Sequence, residues 1–153
     1  MLVFRDDKIK SAGLVIGAGL GVASGFADQT SRPRGRALRL DVSQNVSAVP
    51  ADCMFVRRDV YKDCGGFDST NYPDRFADVD LCLRLMRSGY RIIWTPWARL
   101  AQASSLKYKQ SAELELLRSA WPWYFEHDPH YNPNLSLASA NWELAFPPRA
   151  ATY

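Results

Sequence analysis

Asp78-Val79-Asp80-Leu81-Cys82-Leu83-Arg84-Leu85-Met86 is the stretch of sequence that decides the fold. Its apolar residues recur at i, i+3, i+4 and i+7 from Val79 to Met86, which predicts an amphipathic helix with one buried face. Gly89 follows the run and predicts where this helix ends. Asp78 then lies at the start of the helix, where backbone N–H groups and the helix dipole favour an ionised carboxylate.

Shorter elements are predicted on both sides of this helix. Residues 57–64 have the length of two helical turns, and Gly65-Gly66 predicts their end in a left-handed cap. Met54-Phe55-Val56 and residues 91–95 are interpreted as strands, the first of them buried. Residues 106–120 are predicted to form a helix that buries Leu114 and Leu117. Helices and strands alternate, so the predicted fold class is α/β.

Composition fits one ordinary domain. The chain has 153 residues, 47% of them hydrophobic and 23% charged, which argues against disorder and against a coiled coil. A net charge of +3 is too small to indicate a polyanionic partner. The three cysteines lack the close spacing of a zinc or redox site and are expected to be reduced.

The apolar segment 14–26 contains four glycines and is too short to span a bilayer. Gly17-Ala18-Gly19-Leu20-Gly21 departs from the dinucleotide-binding pattern, so we interpret it as a glycine-rich strand or turn. No secretion signal precedes it, and the expected location is the cytoplasm. The segment is also a candidate surface for contact with a partner.

Two polar clusters carry open alternatives. The arginine-rich segment 32–39 is either a solvated loop or a phosphate contact, and with one aromatic residue nearby it does not predict nucleic-acid binding. His127 and His130 flank Pro129, which breaks the helix that would place two metal ligands on one face. No metal site is predicted from them.

Asp78 and Asp80 are the sharpest chemical feature. Side chains at i and i+2 on a helix point roughly 200° apart, so these two carboxylates cannot share one proton or one metal ion. Asp80 precedes Arg84 by four residues and is expected to form an ion pair with it. Asp78 remains available either as a cap of its helix or as a general base beside the Gly65-Gly66 loop.

Four segments in order resemble the second half of glycosyltransferase family 2, whose members are inverting enzymes of the GT-A fold. These segments are Gly65-Gly66-Phe67-Asp68, residues 78–85, Gly89-Tyr90-Arg91 and Trp94-Thr95-Pro96-Trp97-Ala98. The end of the chain, from Asp128 to Ser136, is similar to the ends of many such proteins. The resemblance divides the chain into an acceptor-side half-domain, 1–121, and an extended proline-rich tail, 122–153, packed on it.

The resemblance implies a role for each matching residue. Asp78 would be the base that takes the proton from the acceptor hydroxyl. Gly65 and Gly66 would let the backbone approach the sugars, and Phe67 and Asp68 would line the acceptor side. Asp80 and Trp94 are further candidate substrate contacts. Trp94 and Trp97 could stack on sugar rings, although aromatics at a strand end are more often part of the core. The expected partners are a nucleotide sugar and a glycan or lipid-linked acceptor, and such an acceptor would place the protein peripherally at the inner face of a membrane.

Two departures from the family pattern lead to further expectations. The family's earlier half carries an Asp-x-Asp motif that holds Mg or Mn, and this chain lacks a counterpart, so no cofactor is assigned to it. Gln102 replaces a usual His, and Ala77 replaces a frequent acid. We therefore expect a lone chain that is silent or weak in catalysis, with a partner chain or self-association covering an exposed sheet edge. The alternative is a non-catalytic carbohydrate- or protein-binding module.

Overall fold

A computed structural model describes residues 2–5, 8–29, 38–101 and 111–149 of the chain. Within these ranges the strands and helices are short and follow one another in mixed order. They are β1 (Leu2–Arg5), β2 (Lys8–Ser11), β3 (Leu14–Ile16), β4 (Val22–Ser24), β5 (Gln44–Asn45), a 3-10 turn (Ala51–Cys53), α1 (Arg58–Asp63), α2 (Ala77–Arg87), β6 (Ile93–Trp94), β7 (Arg99–Ala101), α3 (Ala112–Ala120) and α4 (Pro122–Glu126). The predicted α/β class is confirmed.

The strands of the described residues form three small sheets. One has the order β2-β1-β7, with β1 antiparallel to β2 and parallel to β7. The other two are the antiparallel pairs β3-β4 and β5-β6. The first sheet is therefore mixed, and β7 returns to the start of the chain to complete it.

The predicted helix at residues 78–86 is confirmed as α2. Its buried residues include Val79, Cys82 and Leu83, so the inferred apolar face packs against the core. Gly89 follows the C-cap with a φ of +86°, a conformation that glycine adopts without strain. Helix α1 also ends as predicted, at Gly65-Gly66, where both glycines have positive φ.

The glycine-rich segment forms the β3-β4 hairpin, as the strand-or-turn interpretation predicted. Gly17 has a φ of +82°, and a Cβ at this position would overlap the carbonyl oxygen of Phe125. The prediction that segment 14–26 is a surface for a partner is wrong, because Leu14, Ile16 and Phe26 lie in the core of the chain itself. The ring of Phe26, for example, is covered by Trp142 of the C-terminal segment.

Two further sequence predictions are wrong. Met54-Phe55-Val56 forms no strand, and the side chain of Phe55 is 86% exposed, because no neighbouring strand among the described residues pairs with this segment. The tail is not wholly extended, since Pro122 occupies the first turn of α4, where proline's missing N–H needs no partner. The tail is also part of the core, because the ring of Trp142 stacks on Phe26 with centroids 4.7 Å apart.

Helix α3 confirms the later part of the helix predicted at 106–120, and residues 106–110 lie outside the described ranges. Leu114 and Leu117 are buried as expected. The hydroxyl of Ser111 accepts the N–H of Leu114 at 3.3 Å and caps the helix. Among the described residues, no helix is long and apolar enough to cross a bilayer.

Candidate functional site

A cavity of about 280 Å³ opens beside the N-terminus of α2, and we call it the Asp78 cavity. It is built from β2, β4, the 3-10 turn and the loop that leads into α2. Its walls comprise Lys10, Ser11, Ser24, Pro50, Ala51, Asp52, Phe67, Ser69, Tyr72, Pro73, Asp74, Arg75, Phe76, Ala77 and Asp78. Its volume lies near the lower end of the range of small-molecule sites.

Asp78 lies on the wall of this cavity with only 8% of its surface exposed. Its Oδ2 accepts the N–H of Ala51 at 2.8 Å, and its Oδ1 lies 2.8 Å from the N–H of Val79. The N-cap of α2 is Phe76 rather than Asp78, and the side chain of Phe76 makes no capping hydrogen bond. The carboxylate is therefore held in one orientation by the backbone of two segments.

The backbone that presents Asp78 is strained. Phe76 has a φ of +63°, in the left-handed region that bulky residues rarely occupy, and its side chain is fully buried. Such a conformation costs on the order of 1–3 kcal/mol and persists where the surrounding structure enforces it. Strain of this kind is concentrated at functional sites, and here it fixes the direction in which the chain enters α2.

Asp80 lies behind the cavity rather than on its wall. Its Oδ2 accepts Arg84 Nε at 2.8 Å, which confirms the predicted ion pair, and its Oδ1 accepts Trp121 Nε1 at 3.0 Å. Arg84 in turn donates to the carbonyl oxygens of Cys64 and Gly66. Asp80 therefore joins α2, the glycine turn and the start of α4, and its predicted substrate contact has no counterpart in this arrangement.

The Gly65-Gly66 turn has an internal reason for its glycines. A Cβ on Gly66 would come within 2.9 Å of the ring of Tyr61, and its φ is +65°. The Tyr61 hydroxyl also accepts the N–H of Phe67 at 3.0 Å. Close packing against Tyr61 thus requires glycine here, whereas close approach to a sugar remains a prediction.

Phe67 and Asp68 differ in whether their side chains line the Asp78 cavity. Phe67 lines the Asp78 cavity and is partly exposed, with its ring edge-on to Tyr61. Asp68 does not line this cavity, and its oxygens accept the backbone N–H groups of Thr70 and Asn71 and the Asn71 amide. Its pKa is lowered, chiefly by the backbone hydrogen bond from Asn71. Asp68 therefore shapes the loop that carries one side of the cavity.

Trp94 is fully buried in β6. Its ring cannot stack on a sugar in this conformation, so the structure favours the core role that is common for aromatics at strand ends. Trp97, in the same matched segment, is 78% exposed.

Three features of the cavity were not predicted. Lys10 pairs with Asp52 across the wall, although 42 positions separate them in sequence. The carboxylate of Glu113 in α3 accepts the N–H groups of Asp74 and Arg75 at 3.0 and 2.9 Å and anchors the loop before α2. Tyr72 is buried in the wall, and burial raises its pKa to about 12. No local pattern marks the contacts of Lys10 and Glu113, because each joins segments distant in sequence.

Several predicted positions cannot be placed. Gln102 and the arginines at 32, 34 and 36 lie outside the described residues. Within the described ranges, no three His, Cys, Asp or Glu side chains converge on a point that would suit a metal ion. The donor set of the Asp78 cavity does not fit Mg or Mn, since Asp52 is paired with Lys10 and Asp78 holds backbone amides. All three cysteines are free thiols.

The chain is similar to segments of larger bacterial proteins. It is 32% identical over 156 residues to an uncharacterized protein, y4gI, of Sinorhizobium fredii, covering 95% of this chain and 17% of that protein. It is 31% identical over 162 residues to the O-antigen biosynthesis protein RfbC of Myxococcus xanthus, covering 94% of this chain and 12% of that protein. The chain thus spans about a sixth or less of the length of these relatives.

A shorter segment is similar to a named glycosyltransferase. Over 56 residues, 37% of this chain, it is 41% identical to the pre-mycofactocin glycosyltransferase of Mycobacterium tuberculosis, and this segment is 12% of that protein. No family model and no solved structure matches the chain.

Proposed function

We propose that this chain takes part in glycosyl transfer, as the acceptor-side part of a GT-A glycosyltransferase of family 2. Two relatives support the general role through their names, an O-antigen biosynthesis protein and a pre-mycofactocin glycosyltransferase. The observation that carries the proposal is the Asp78 carboxylate, which lies on a cavity wall with its orientation fixed by Ala51.

In this proposal Asp78 acts as the general base for an inverting transfer. The acceptor hydroxyl gives its proton to an Asp78 oxygen while its own oxygen forms a bond to the anomeric carbon of the donor sugar. The bond from that carbon to the nucleoside diphosphate breaks, and its electron pair leaves with the phosphate. A carboxylate on a cavity wall suits this role because a base must lie within hydrogen-bond reach of the proton it takes.

The remaining walls of the cavity suit a sugar acceptor. Phe67 presents a partly exposed ring, and apolar ring faces pack against the C–H faces of sugars. Lys10 and Asp52 supply polar groups around it. We propose that the nucleotide-sugar donor, with the Mg or Mn expected for the family, is held by a further donor-binding part, in the same protein or in a partner.

The test compares Asp78→Asn with Asp74→Asn, a matched acid-to-amide change on the same cavity. Sugar transfer from a panel of nucleotide sugars is measured for the chain alone and mixed with the donor-side segment of a similar protein. We expect Asp78→Asn to lower the transfer rate of the mixture by about 10²- to 10⁴-fold, the usual contribution of a general base. Asp74→Asn should retain most activity.

Two outcomes would contradict the proposal. Equal rates for Asp78→Asn and the unmodified chain would remove Asp78 as the base. Robust turnover by the chain alone would show that no further donor-binding part is needed. Far-UV circular dichroism of both variants checks that the substitutions leave the fold intact.

A second candidate function is a non-catalytic carbohydrate-binding module. The observation that favours it is the low exposure of Asp78, both of whose oxygens lie against backbone N–H groups. Under this candidate, saccharides bind to the chain, and Asp78→Asn leaves their affinity unchanged. Binding without transfer in the reconstituted mixture would distinguish it from the enzyme.

A further inference from the structure

A second cavity, of about 500 Å³, lies between the C-terminal segment and the start of the chain, and we call it the Arg39 cavity. Side chains that carry or accept positive charge are concentrated on its walls, namely Arg39, Arg149, His127 and His130. It shares no lining residue with the Asp78 cavity. A ligand in the Arg39 cavity would therefore bind apart from the site proposed for glycosyl transfer.

Arg39 has an incomplete set of partners in this cavity. Its Nε is enclosed by protein and makes no hydrogen bond to any described residue. Its guanidinium carbon lies 4.6 Å from the ring of Trp142, a contact that favours the cation without using its N–H donors. Partial burial lowers the pKa of Arg39. Arg39 as a whole is partly exposed and lines the cavity, so its guanidinium can donate to an oxyanion bound there.

A second guanidinium lines the same cavity. Arg149 uses Nη1 to donate to the carbonyl oxygen of Leu135 at 3.1 Å. An arginine carries five N–H donors in a planar fork, so one such bond is a small part of its capacity. Two arginines on one cavity form the arrangement that recognises a phosphate group by paired hydrogen bonds.

Two acidic residues, Asp128 and Glu126, also line the cavity. Asp128 accepts hydrogen bonds from the Ile16 N–H, the His130 N–H and the Ser47 hydroxyl, so its carboxylate is engaged with the protein. Glu126 is largely exposed, and its carboxylate lies 3.9 Å from His127 Nδ1 at the rim. Neither acid forms an ion pair with Arg39 among the described residues. The formal charges of Asp128 and Glu126 balance those of Arg39 and Arg149, so the cavity would select an anion through the directed N–H donors of the two arginines rather than through a net positive charge.

We propose that the Arg39 cavity binds a small phosphate-bearing molecule, with the phosphate held by Arg39 and Arg149. The shared chemistry is a phosphate dianion, free or as a monoester of a sugar. The sequence left open whether the arginine-rich segment 32–39 contacts phosphate or is a solvated loop. Arg39 is the last arginine of that segment, and the structure places it on the wall of a cavity.

The experiment titrates the chain with inorganic phosphate and with a hexose phosphate, by calorimetry and by thermal unfolding at constant ionic strength. Acetate and chloride are the comparison anions. We expect phosphate to raise the unfolding temperature by ligand linkage and acetate to have a much smaller effect. Comparing the two ligands distinguishes a site for free phosphate from a site for a sugar phosphate, because only the second binds hexose phosphate more tightly than inorganic phosphate.

Three variants localise the binding. Arg39→Gln and Arg149→Gln should each weaken phosphate binding by about tenfold or more, equivalent to about 1.4 kcal/mol. Arg118→Gln is the matched control, because Arg118 also lies over an aromatic ring, that of Phe125, but does not line the cavity. If Arg39→Gln does not fold, Arg149→Gln alone decides the question. No phosphate binding, or binding that all three variants keep, would overturn the proposal.

Discussion

The ion pair between Asp80 and Arg84 gives the most direct test of how the site is held together. Sequence spacing alone predicts a pair worth a few tenths of a kcal/mol, as on an exposed helix surface. In the structure Asp80 is buried, the Arg84 side chain is 19% exposed, and Trp121 is a third partner. The pair should therefore behave as a buried network.

The expected loss in the free energy of unfolding follows from the groups that Asp80→Ala would leave without a partner. Removing one partner of a buried pair costs about 3–5 kcal/mol, because the other charge loses its counter-ion. The Trp121 N–H would also lose its acceptor, which adds about 1–3 kcal/mol when the donor stays dry. Partial exposure of Arg84 lets water solvate its guanidinium, so we expect a total near the lower limit, about 4 kcal/mol.

Urea unfolding followed by circular dichroism measures this loss. A double-mutant cycle with Arg84→Ala should give a coupling energy of about 2–3 kcal/mol, since each single change removes the same contact. Asp59→Ala is the control, because Asp59 and Arg57 form an ion pair with both side chains more than half exposed, and its removal should cause no measurable change. A loss below about 1 kcal/mol for Asp80→Ala would refute the buried-network reasoning.

Two further predictions concern the loop beside the cavity. Gly66→Ala should lower the free energy of unfolding by about 1–3 kcal/mol in urea, because its Cβ would press on the Tyr61 ring and its φ of +65° disfavours alanine. An unchanged free energy of unfolding would show that Tyr61 moves aside at little cost. Asp68 has a lowered pKa in the folded state, so its contribution to stability is present above its ordinary pKa near 3.8 and is lost as the pH falls through the folded value. Asp68→Asn should therefore flatten the fall in stability on acidification below pH 4, measured by unfolding at a series of pH values; an unchanged slope would contradict this assignment.

Local patterns predicted the elements whose cause is local. The apolar spacing from Val79 to Met86 gave the buried face of α2, and the positive φ of Gly65 and Gly66 satisfies the predicted end of α1. The strand prediction at Met54-Phe55-Val56 was wrong because an apolar run indicates burial only where another segment covers it. Composition cannot show which segments meet.

The same distinction explains the candidate site. Asp78 was singled out from its place at the start of a helix, and the structure does place it on a cavity wall. For Trp94 the sequence left open stacking on a sugar or a place in the core, and its full burial favours the core. The hydrogen bonds of Asp128 to Ile16 and Ser47 carry no local signal, because these partners are 112 and 81 positions away in sequence.

The geometry of Asp78 therefore depends on contacts that lie outside its own helix. Its Oδ2 is oriented by Ala51, in the 3-10 turn whose next residue, Asp52, is tied to β2 through Lys10. From the other side, Glu113 in α3 fixes the loop that leads into α2. These two anchors hold opposite ends of the segment that presents the carboxylate. The orientation of Asp78 is thus a property of the tertiary structure, and the sequence pattern that identified the residue could not have established it.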